Sequence, residues 1–125
     1  EVECAVLGNE DVASSCVGEI IAADEFYSYD AKYKNKDSKL FIPADISEQK
    51  SEEIRKLAVK AFKAIDGKGL ARVDFFIENG TEKVYINEIN TLPGFTDISM
   101  YPKLFEQVEI KYSDLLDKVI ELALK

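Results

Sequence analysis

Four side chains on two predicted strands carry the chemistry available in this sequence. Arg72 and Asp74 lie two residues apart, and so do Glu88 and Asn90 further along the chain. Because side chains two apart point to the same face of a strand, the members of each pair share a face. Carboxylate and amide oxygens are hard ligands that suit Mg²⁺, which proteins commonly hold with one or two carboxylates plus substrate phosphates. The spacing is therefore compatible with a magnesium site.

A purely structural role explains the same spacing. Burying a charge is costly unless it is paired, and Asp74 has two candidate partners, Arg72 and Lys83, on a solvated sheet face. Arg72 could in turn serve only as a partner for Glu88. An Asp and a Glu on one hairpin are a weak signal by themselves, so both interpretations stay open at this point.

The register of the hairpin distinguishes the two interpretations. A two-residue loop at Asn79-Gly80 would pair Asp74 with Tyr85 and put Asp74 and Glu88 on opposite faces, since a one-residue slip flips every side chain. A shared metal would then be impossible. The metal interpretation therefore predicts a loop of three or five residues, or a bulge near Gly80.

The elements that must position these residues follow from hydrophobic patterning. Apolar or alternating runs bounded by turn residues predict strands at 1–8, 17–21, 25–29, 40–42, 70–77 and 83–90. The lysine-rich segment 30–39 is predicted as a loop. Alternate residues of one hairpin strand are all apolar and should face the core: Ala71, Val73, Phe75 and Ile77.

Two amphipathic helices complete the prediction. The first spans 48–66, with Ser47 as its N-cap and Gly67 at its C′ position. The second ends the chain, with Ser113 as its N-cap and a stripe of Leu115, Leu116, Val119, Ile120 and Ala123. The order of elements predicts an α+β fold, in which a mostly antiparallel sheet has helices packed on one face.

Composition excludes several kinds of function. The 125 residues contain no histidine, so a histidine base, nucleophile or metal ligand is ruled out for this chain. The formal net charge is −8, whereas a domain that binds nucleic acid usually presents a basic face. We therefore expect no nucleic-acid partner.

Cysteine usage and the chain start indicate the setting. Cys4 and Cys16 form no C-x-x-C motif, and Cys4 lies in an apolar run that predicts a buried thiol. No apolar stretch approaches the ~20 residues of a membrane helix. We expect a cytoplasmic protein without a membrane partner. The sequence begins with Glu1 rather than Met, and we expect it to be a piece of a larger protein.

The motifs around the four polar residues resemble those of a known family. Arg72-Val-Asp74 is followed by NEINTLPGFTDISMYPKL at 87–104. Together they resemble the C-terminal half of the ATP-grasp ligases, and most closely the D-alanine–D-alanine ligases. Further matching stretches are EVECAVLGN at 1–9, FYSYDAKY at 26–33 and IPAD at 42–45. The resemblance extends along essentially the whole chain.

The resemblance implies roles for the residues at the metal and phosphates. Asp74, Glu88 and Asn90 match the family's ligands for two Mg²⁺ ions that bridge the ATP phosphates, with Mn²⁺ as a possible substitute. Glu88 would lie between both ions. Arg72 matches an arginine at the acyl phosphate, where it would stabilise developing negative charge. Lys32 matches a loop lysine near the phosphates.

Other matched positions concern the substrates. The backbone N–H of Gly94 matches part of an oxyanion site. Ser99 and the backbone of Met100 match the contacts to the carboxylate of the second D-alanine, although Ser99 could simply cap a helical turn. Tyr33 matches a loop tyrosine that closes over the dipeptide site. Glu1 matches an acidic residue at the ATP ribose, although it could be only a frayed terminal residue.

The implied reaction joins two D-alanine molecules at the expense of ATP, through an acyl phosphate, for peptidoglycan synthesis. Two alternatives of the same chemistry are a D-alanine–D-serine or D-alanine–D-lactate ligase and another ATP-grasp carboxylate–amine ligase. A third is a fragment that binds Mg²⁺ or nucleotide without catalysis.

Family architecture sets expectations for the chain as it stands. ATP-grasp sites lie between two subdomains, and we assign residues 1–125 to the C-terminal part of the ATP-grasp domain. The N-terminal substrate domain and the central subdomain are missing from this assignment. We expect the parent protein to be a homodimer and the isolated chain to be inactive.

Overall fold

The computed structural model describes residues 1–21 and 39–125. The predicted strand at 25–29 and the loop residues Lys32 and Tyr33 lie outside the described residues. All other predicted strands and both predicted helices fall within them.

The described residues form one antiparallel sheet and three helices. The strands are β1 (Val2–Gly8), β2 (Ala13–Ile21), β3 (Lys39–Phe41), β4 (Gly69–Ile77) and β5 (Val84–Asn90). The helices are α1 (Glu48–Ala64), α2 (Met100–Glu106) and α3 (Tyr112–Ala123). The strand order is β3-β2-β1-β4-β5, and neighbouring strands are all antiparallel. The α+β class and the antiparallel sheet are therefore confirmed.

Helices cover both faces of the sheet, so the expectation that they pack on one face is wrong. One core lies between the sheet and α1, and contains Val2, Cys4, Val6, Ala71, Val73, Phe75, Ile54, Ala58 and Phe62. The other lies beneath α2 and α3, and contains Ala5, Leu7, Tyr101, Leu104, Phe105 and Leu115. The physical reason is the central strand β1, which is buried along its whole length. Apolar side chains point from it to both faces of the sheet, so each face needs a covering layer.

The start of α1 follows the sequence prediction, but the helix ends two residues earlier than predicted and its C′ position moves from Gly67 to Asp66. Ser47 is the N-cap, and its side chain accepts a hydrogen bond from the N–H of Lys50. At the other end, Asp66 occupies the C′ position with φ +59°. Its N–H donates to Lys63 O, and the Gly67 N–H donates to Phe62 O, which is the Schellman arrangement.

Gly67 is required for space rather than for a left-handed backbone. A Cβ atom built on Gly67 would lie 2.4 Å from two ring carbons of Phe62. The Phe62 ring is fully buried and belongs to the first core. The glycine therefore permits the chain to leave the helix directly across this ring.

The β4–β5 hairpin has an even loop and a bulge far from its turn. Glu78 N–H donates to Lys83 O across a four-residue loop, 79–82. Pairing is regular from Ile77 with Val84 to Phe75 with Ile86, and then shifts so that Asp74 pairs with Glu88. Asn87 is the additional residue on β5. The predicted bulge exists, but it lies beside Glu88 rather than near Gly80.

The last helix begins earlier than predicted. Lys111 occupies the N-cap position of α3 and Leu115 N–H donates to Lys111 O, so the assignment of Ser113 as N-cap is wrong. Leu115 is buried, whereas Leu116 and Ile120 of the predicted stripe are exposed. Among the described residues, no helix is long and apolar enough to span a membrane.

The end of α1 gives a pair of contrasting substitutions. Gly67→Ala should lower the free energy of unfolding by about 1–3 kcal/mol, because the added methyl overpacks the buried Phe62 ring. Asp66→Gly should leave it unchanged or raise it by less than about 1 kcal/mol, because glycine adopts the positive φ without strain. Urea unfolding of both variants measures the difference. If Asp66→Gly lowered the free energy of unfolding more than Gly67→Ala, the assignment of Asp66 to the C′ position and of Gly67 to the contact with Phe62 would be contradicted.

Candidate active site

Three acidic side chains form a row across the sheet. Glu3 of β1 is the cross-strand partner of Asp74 on β4, and Asp74 is the partner of Glu88 on β5. Glu3 is 1% exposed and Asp74 is 0% exposed, whereas Glu88 is exposed at the edge strand. Like charges directly opposite one another destabilise a sheet, so this row requires a nearby cation.

Arg72 supplies the positive charge at the buried end of the row. Its Nε and one terminal nitrogen donate to the two carboxylate oxygens of Asp74 over 2.8 and 3.0 Å. The same Nε lies 3.3 Å from Oε2 of Glu3. This two-point contact fixes the plane of the guanidinium as well as its charge. The Arg72–Asp74 pair proposed as the structural alternative is present, but it is buried rather than solvated.

Glu3 is not among the site residues predicted from the sequence. It contacts Arg72 and faces Asp74, yet its own surroundings in the sequence are a strand of otherwise apolar residues. A charged residue flanked by apolar residues near the start of a predicted strand is the signal that could have identified it. That signal does not reveal the partner, because the pairing of β1 with β4 is a long-range contact.

The predicted metal ligands lie on two cross-strand pairs of one face, with the Val73–Ile89 pair between them. Asp74 is opposite Glu88, and Arg72 is opposite Asn90. The Asn90 Oδ1 accepts the N–H of Leu92 over 3.1 Å. Carboxylate and amide oxygens each carry further lone pairs, so these contacts leave acceptor capacity for a hard cation. The donor set thus fits Mg²⁺ as two carboxylates and one amide.

The described side chains alone do not complete the coordination of a metal ion. Within residues 1–21 and 39–125, no group of three or more His, Cys, Asp or Glu side chains could hold a metal ion. A cation at Asp74, Glu88 and Asn90 would therefore take its remaining ligands from water or substrate, as Mg²⁺ commonly does beside phosphates.

Glu1 lies beside the bulge of β5. Asn87 Nδ2 donates to Glu1 Oε2 over 3.3 Å, and the Glu1 carbonyl accepts the N–H of Ile20 over 3.1 Å. Its main chain is thus part of the β1–β2 pairing, and Glu1 is not a frayed terminus. The bulge residue Asn87 holds its carboxylate near the same end of the sheet.

A loop after β5 brings Gly94 and Ser99 together. Ser99 Oγ accepts the N–H of Thr96 over 3.0 Å and lies 2.7 Å from Thr96 Oγ1. A Cβ on Gly94 would lie 3.1 Å from the same Ser99 oxygen. Ser99 occupies the N-cap position of α2 without making a side-chain cap, so its hydroxyl is engaged within the loop instead.

Aromatic residues anchor this loop to the second core. The Phe95 ring lies 5.5 Å from that of Tyr101 and 5.6 Å from that of Tyr112. Tyr112 Oη donates to the Phe95 carbonyl over 2.6 Å, and Tyr101 Oη donates to Val6 O over 2.7 Å. Burial raises the pKa of Tyr101 well above its usual range, so this phenol stays protonated as a donor.

The cysteines do not provide a reactive thiolate. Cys4 and Cys16 are both free thiols. Burial raises the pKa of Cys4 to about 12 and also raises that of Cys16. Both therefore remain protonated near neutral pH. The prediction of a buried thiol at Cys4 is confirmed.

Comparison with known proteins gives one consistent result. The family described as D-ala D-ala ligase C-terminus matches residues 1–121. The D-alanine–D-alanine ligase of Acetivibrio thermocellus is 62% identical over 125 residues, which are all of this chain and 33% of that protein. The corresponding enzyme of Halothermothrix orenii is 56% identical over 125 residues, or 36% of its length. The chain thus spans about a third of these relatives.

Solved structures agree with the sequence relatives. The D-alanine–D-alanine ligase of Coxiella burnetii has a TM-score of 0.82 and 42% identity, covering 98% of this chain and 31% of that one. The VanG D-Ala:D-Ser ligase of Enterococcus faecalis has a TM-score of 0.85 and 38% identity, covering 97% and 35%. The Bacillus anthracis D-alanine–D-alanine ligase complexed with ATP has a TM-score of 0.77 and 31% identity, covering 98% and 39%.

The buried ion cluster predicts unequal effects of two charge removals. Arg72→Met should lower the free energy of unfolding by about 3–5 kcal/mol, because the Glu3 and Asp74 carboxylates then face each other without their guanidinium. Glu88→Gln should have little effect, because Glu88 is exposed. Urea unfolding at neutral pH measures both. If the two variants lost similar stability, Arg72 would not be the cation that stabilises this face.

Proposed function

This chain belongs to the D-alanine–D-alanine ligase family, and from that premise we propose that it forms the C-terminal part of the ATP-grasp domain of such a ligase. One observation carries the proposal. In a chain that matches the family over residues 1–121, a bulge pairs Asp74 with Glu88 on one face of the sheet. Without that bulge the two carboxylates would not share a site.

The proposed reaction joins two D-alanine molecules in the cytoplasm for peptidoglycan synthesis. ATP transfers its γ-phosphoryl group to the carboxylate of the first D-alanine, giving ADP and an acyl phosphate. The amine of the second D-alanine attacks the acyl carbon, loses a proton and displaces phosphate, which leaves D-alanyl-D-alanine. Such chemistry depends on positioning and charge stabilisation, and it needs no histidine from this chain.

Asp74, Glu88 and Asn90 would hold two Mg²⁺ ions, for which Mn²⁺ could substitute. Bound there, the ions would offset the negative charge of the ATP phosphates. Arg72 would face the transferring phosphoryl group, where its charge stabilises developing anionic oxygens. Support for this role comes from the fork that Asp74 makes with Arg72 and from the second carboxylate, Glu3. A guanidinium held in this way does not have to reorient during the reaction.

The loop after β5 would bind the second substrate. In this proposal the Gly94 N–H faces the oxyanion of the tetrahedral intermediate, and the Ser99 hydroxyl binds the carboxylate of the second D-alanine. The proximity of Gly94 and Ser99 supports a shared binding place. Glu1 would contact the ATP ribose. Lys32 at the phosphates, Tyr33 over the dipeptide site, and the homodimeric parent stay predictions.

A D-serine acceptor is the second candidate. The VanG D-Ala:D-Ser ligase has a TM-score of 0.85 against this chain, so the fold of this domain suits both acceptors. The curated relatives at 62% and 56% identity are named D-alanine–D-alanine ligases, and we therefore favour D-alanine. Competition between D-alanine and D-serine as second substrate, with the dipeptides separated by mass, discriminates between them.

A chimeric enzyme tests the proposal. The first two thirds of the Acetivibrio thermocellus ligase, followed by this chain, should release phosphate from ATP in a D-alanine-dependent manner. Glu88→Gln in the chimera should lower kcat at least about a hundredfold, because a metal-ligating carboxylate is lost. Glu82→Gln, on the same hairpin and also exposed, is the control and should keep full turnover. A folded chimera without turnover, or full turnover in Glu88→Gln, would contradict the proposal.

The isolated chain should be inactive. We expect no D-alanine-dependent phosphate release from the purified 125-residue protein with ATP and Mg²⁺, because ATP-grasp sites require a second subdomain. A coupled phosphate assay on the chain and the chimera side by side measures this. Turnover by the chain alone would show that residues 1–125 contain a complete site.

A further inference from the structure

One peptide group in the loop after β5 is held from both sides. The Phe95 carbonyl accepts the phenolic hydrogen of Tyr112 over 2.6 Å. The N–H of the same peptide group, on Thr96, donates to Ser99 Oγ over 3.0 Å. In a trans peptide the C=O and N–H point in opposite directions. Tyr112 and Ser99 therefore grip the plane between Phe95 and Thr96 at its two ends.

This peptide group limits how the Ser99 hydroxyl can be oriented, because its N–H takes one acceptor position of the Ser99 oxygen. A hydroxyl has one proton and two lone pairs. The Thr96 N–H occupies one lone pair, and Thr96 Oγ1, only 2.7 Å away, occupies the other when it donates. The Ser99 proton is then directed away from the loop, where a carboxylate can accept it. If the peptide plane rotated, the Thr96 N–H would leave Ser99 and this orientation would be lost.

Tyr112 is well placed to stop that rotation. It begins α3, and the next turn of this helix carries Leu115, which is fully buried in the second core. The Tyr112 ring also packs against the Phe95 ring at 5.6 Å. A rigid helix thus holds the main chain of an otherwise exposed loop.

We propose that Tyr112 is a positioning residue for the second substrate, acting through the Phe95–Thr96 peptide on the Ser99 hydroxyl. The inference rests on the proposed function for the role of Ser99, but the mechanical link from Tyr112 to Thr96 is independent of it. The ligand class is the carboxylate of the amino acid whose amine attacks the acyl phosphate.

The mechanical link is tested on the chain itself. Tyr112→Phe keeps the ring and removes only the hydroxyl, so we expect about threefold to tenfold faster amide exchange at Thr96, measured by NMR. Tyr101→Phe is the matched control, since its ring also contacts Phe95 but its hydroxyl donates to Val6 O. In that variant, the ratio of the amide exchange rate at Thr96 to the exchange rates of the α1 amides should be unchanged. Equal effects of the two variants at Thr96, or none from Tyr112→Phe, would overturn the proposal.

The positioning role is tested in the chimera. Tyr112→Phe should raise the KM for the second D-alanine about threefold to tenfold, with kcat and the KM for ATP little changed. Ser99→Ala should raise the same KM more, and adding Tyr112→Phe to Ser99→Ala should have no further effect. A change with Ser99→Ala but none with Tyr112→Phe would overturn the inference alone. An unchanged acceptor KM in Ser99→Ala would instead refute the role of Ser99 in the proposed function.

Discussion

Within residues 1–21 and 39–125, Arg72 is the cation that pairs with the buried carboxylates on one face of the sheet. Three adjacent strands place Glu3, Asp74 and Glu88 side by side, and two of these carboxylates are buried. Such a row is unfavourable unless a positive charge is built into it. The guanidinium meets that need by donating to both oxygens of Asp74 and approaching Glu3. The same contacts hold a planar cation rigidly beside the predicted ligands, so stability and proposed catalysis use one arrangement.

The second constraint is the register of the β4–β5 hairpin, which decides the face of the sheet on which each β5 side chain lies. Its four-residue loop would by itself put Asp74 opposite Asn87 and turn Glu88 to the other face. The extra residue at Asn87 shifts the register by one, so that Glu88 joins the acidic row and Asn90 lies opposite Arg72 on the same face. The bulge also presents Asn87 to Glu1. Bulges near active sites commonly redirect a side chain in this way.

The sequence predicted features that depend on near neighbours. Alternation identified the two faces of β4, and capping chemistry identified Ser47, because both are decided within a few residues. The resemblance then singled out Arg72, Asp74 and Glu88 as residues of one site, and the register brings them together. Long-range pairing was beyond local patterns. Glu3 was therefore missed, and the bulge was expected at the turn.

Two further differences have simple physical causes. Helices were expected on one face, but β1 is buried along its whole length and has apolar residues on both faces, so each face of the sheet needs a covering layer. Gly67 was expected at C′ because glycine usually takes that position. Asp66 takes the positive φ instead, and Gly67 is needed where the chain passes the Phe62 ring. Tertiary packing thus overrode a local preference by a single residue.

The position of the bulge separates two parts of the hairpin that differ in their tolerance to insertions and deletions. Because the register of Glu88 is set at Asn87, the exposed tip at 79–82 can change in length, or accept a label, without turning a carboxylate to the wrong face. Removing Asn87 would have the opposite effect, although it deletes only one exposed residue. Length variation among relatives of this domain should therefore concentrate at the tip, with a fixed count of residues from the bulge to Asn90.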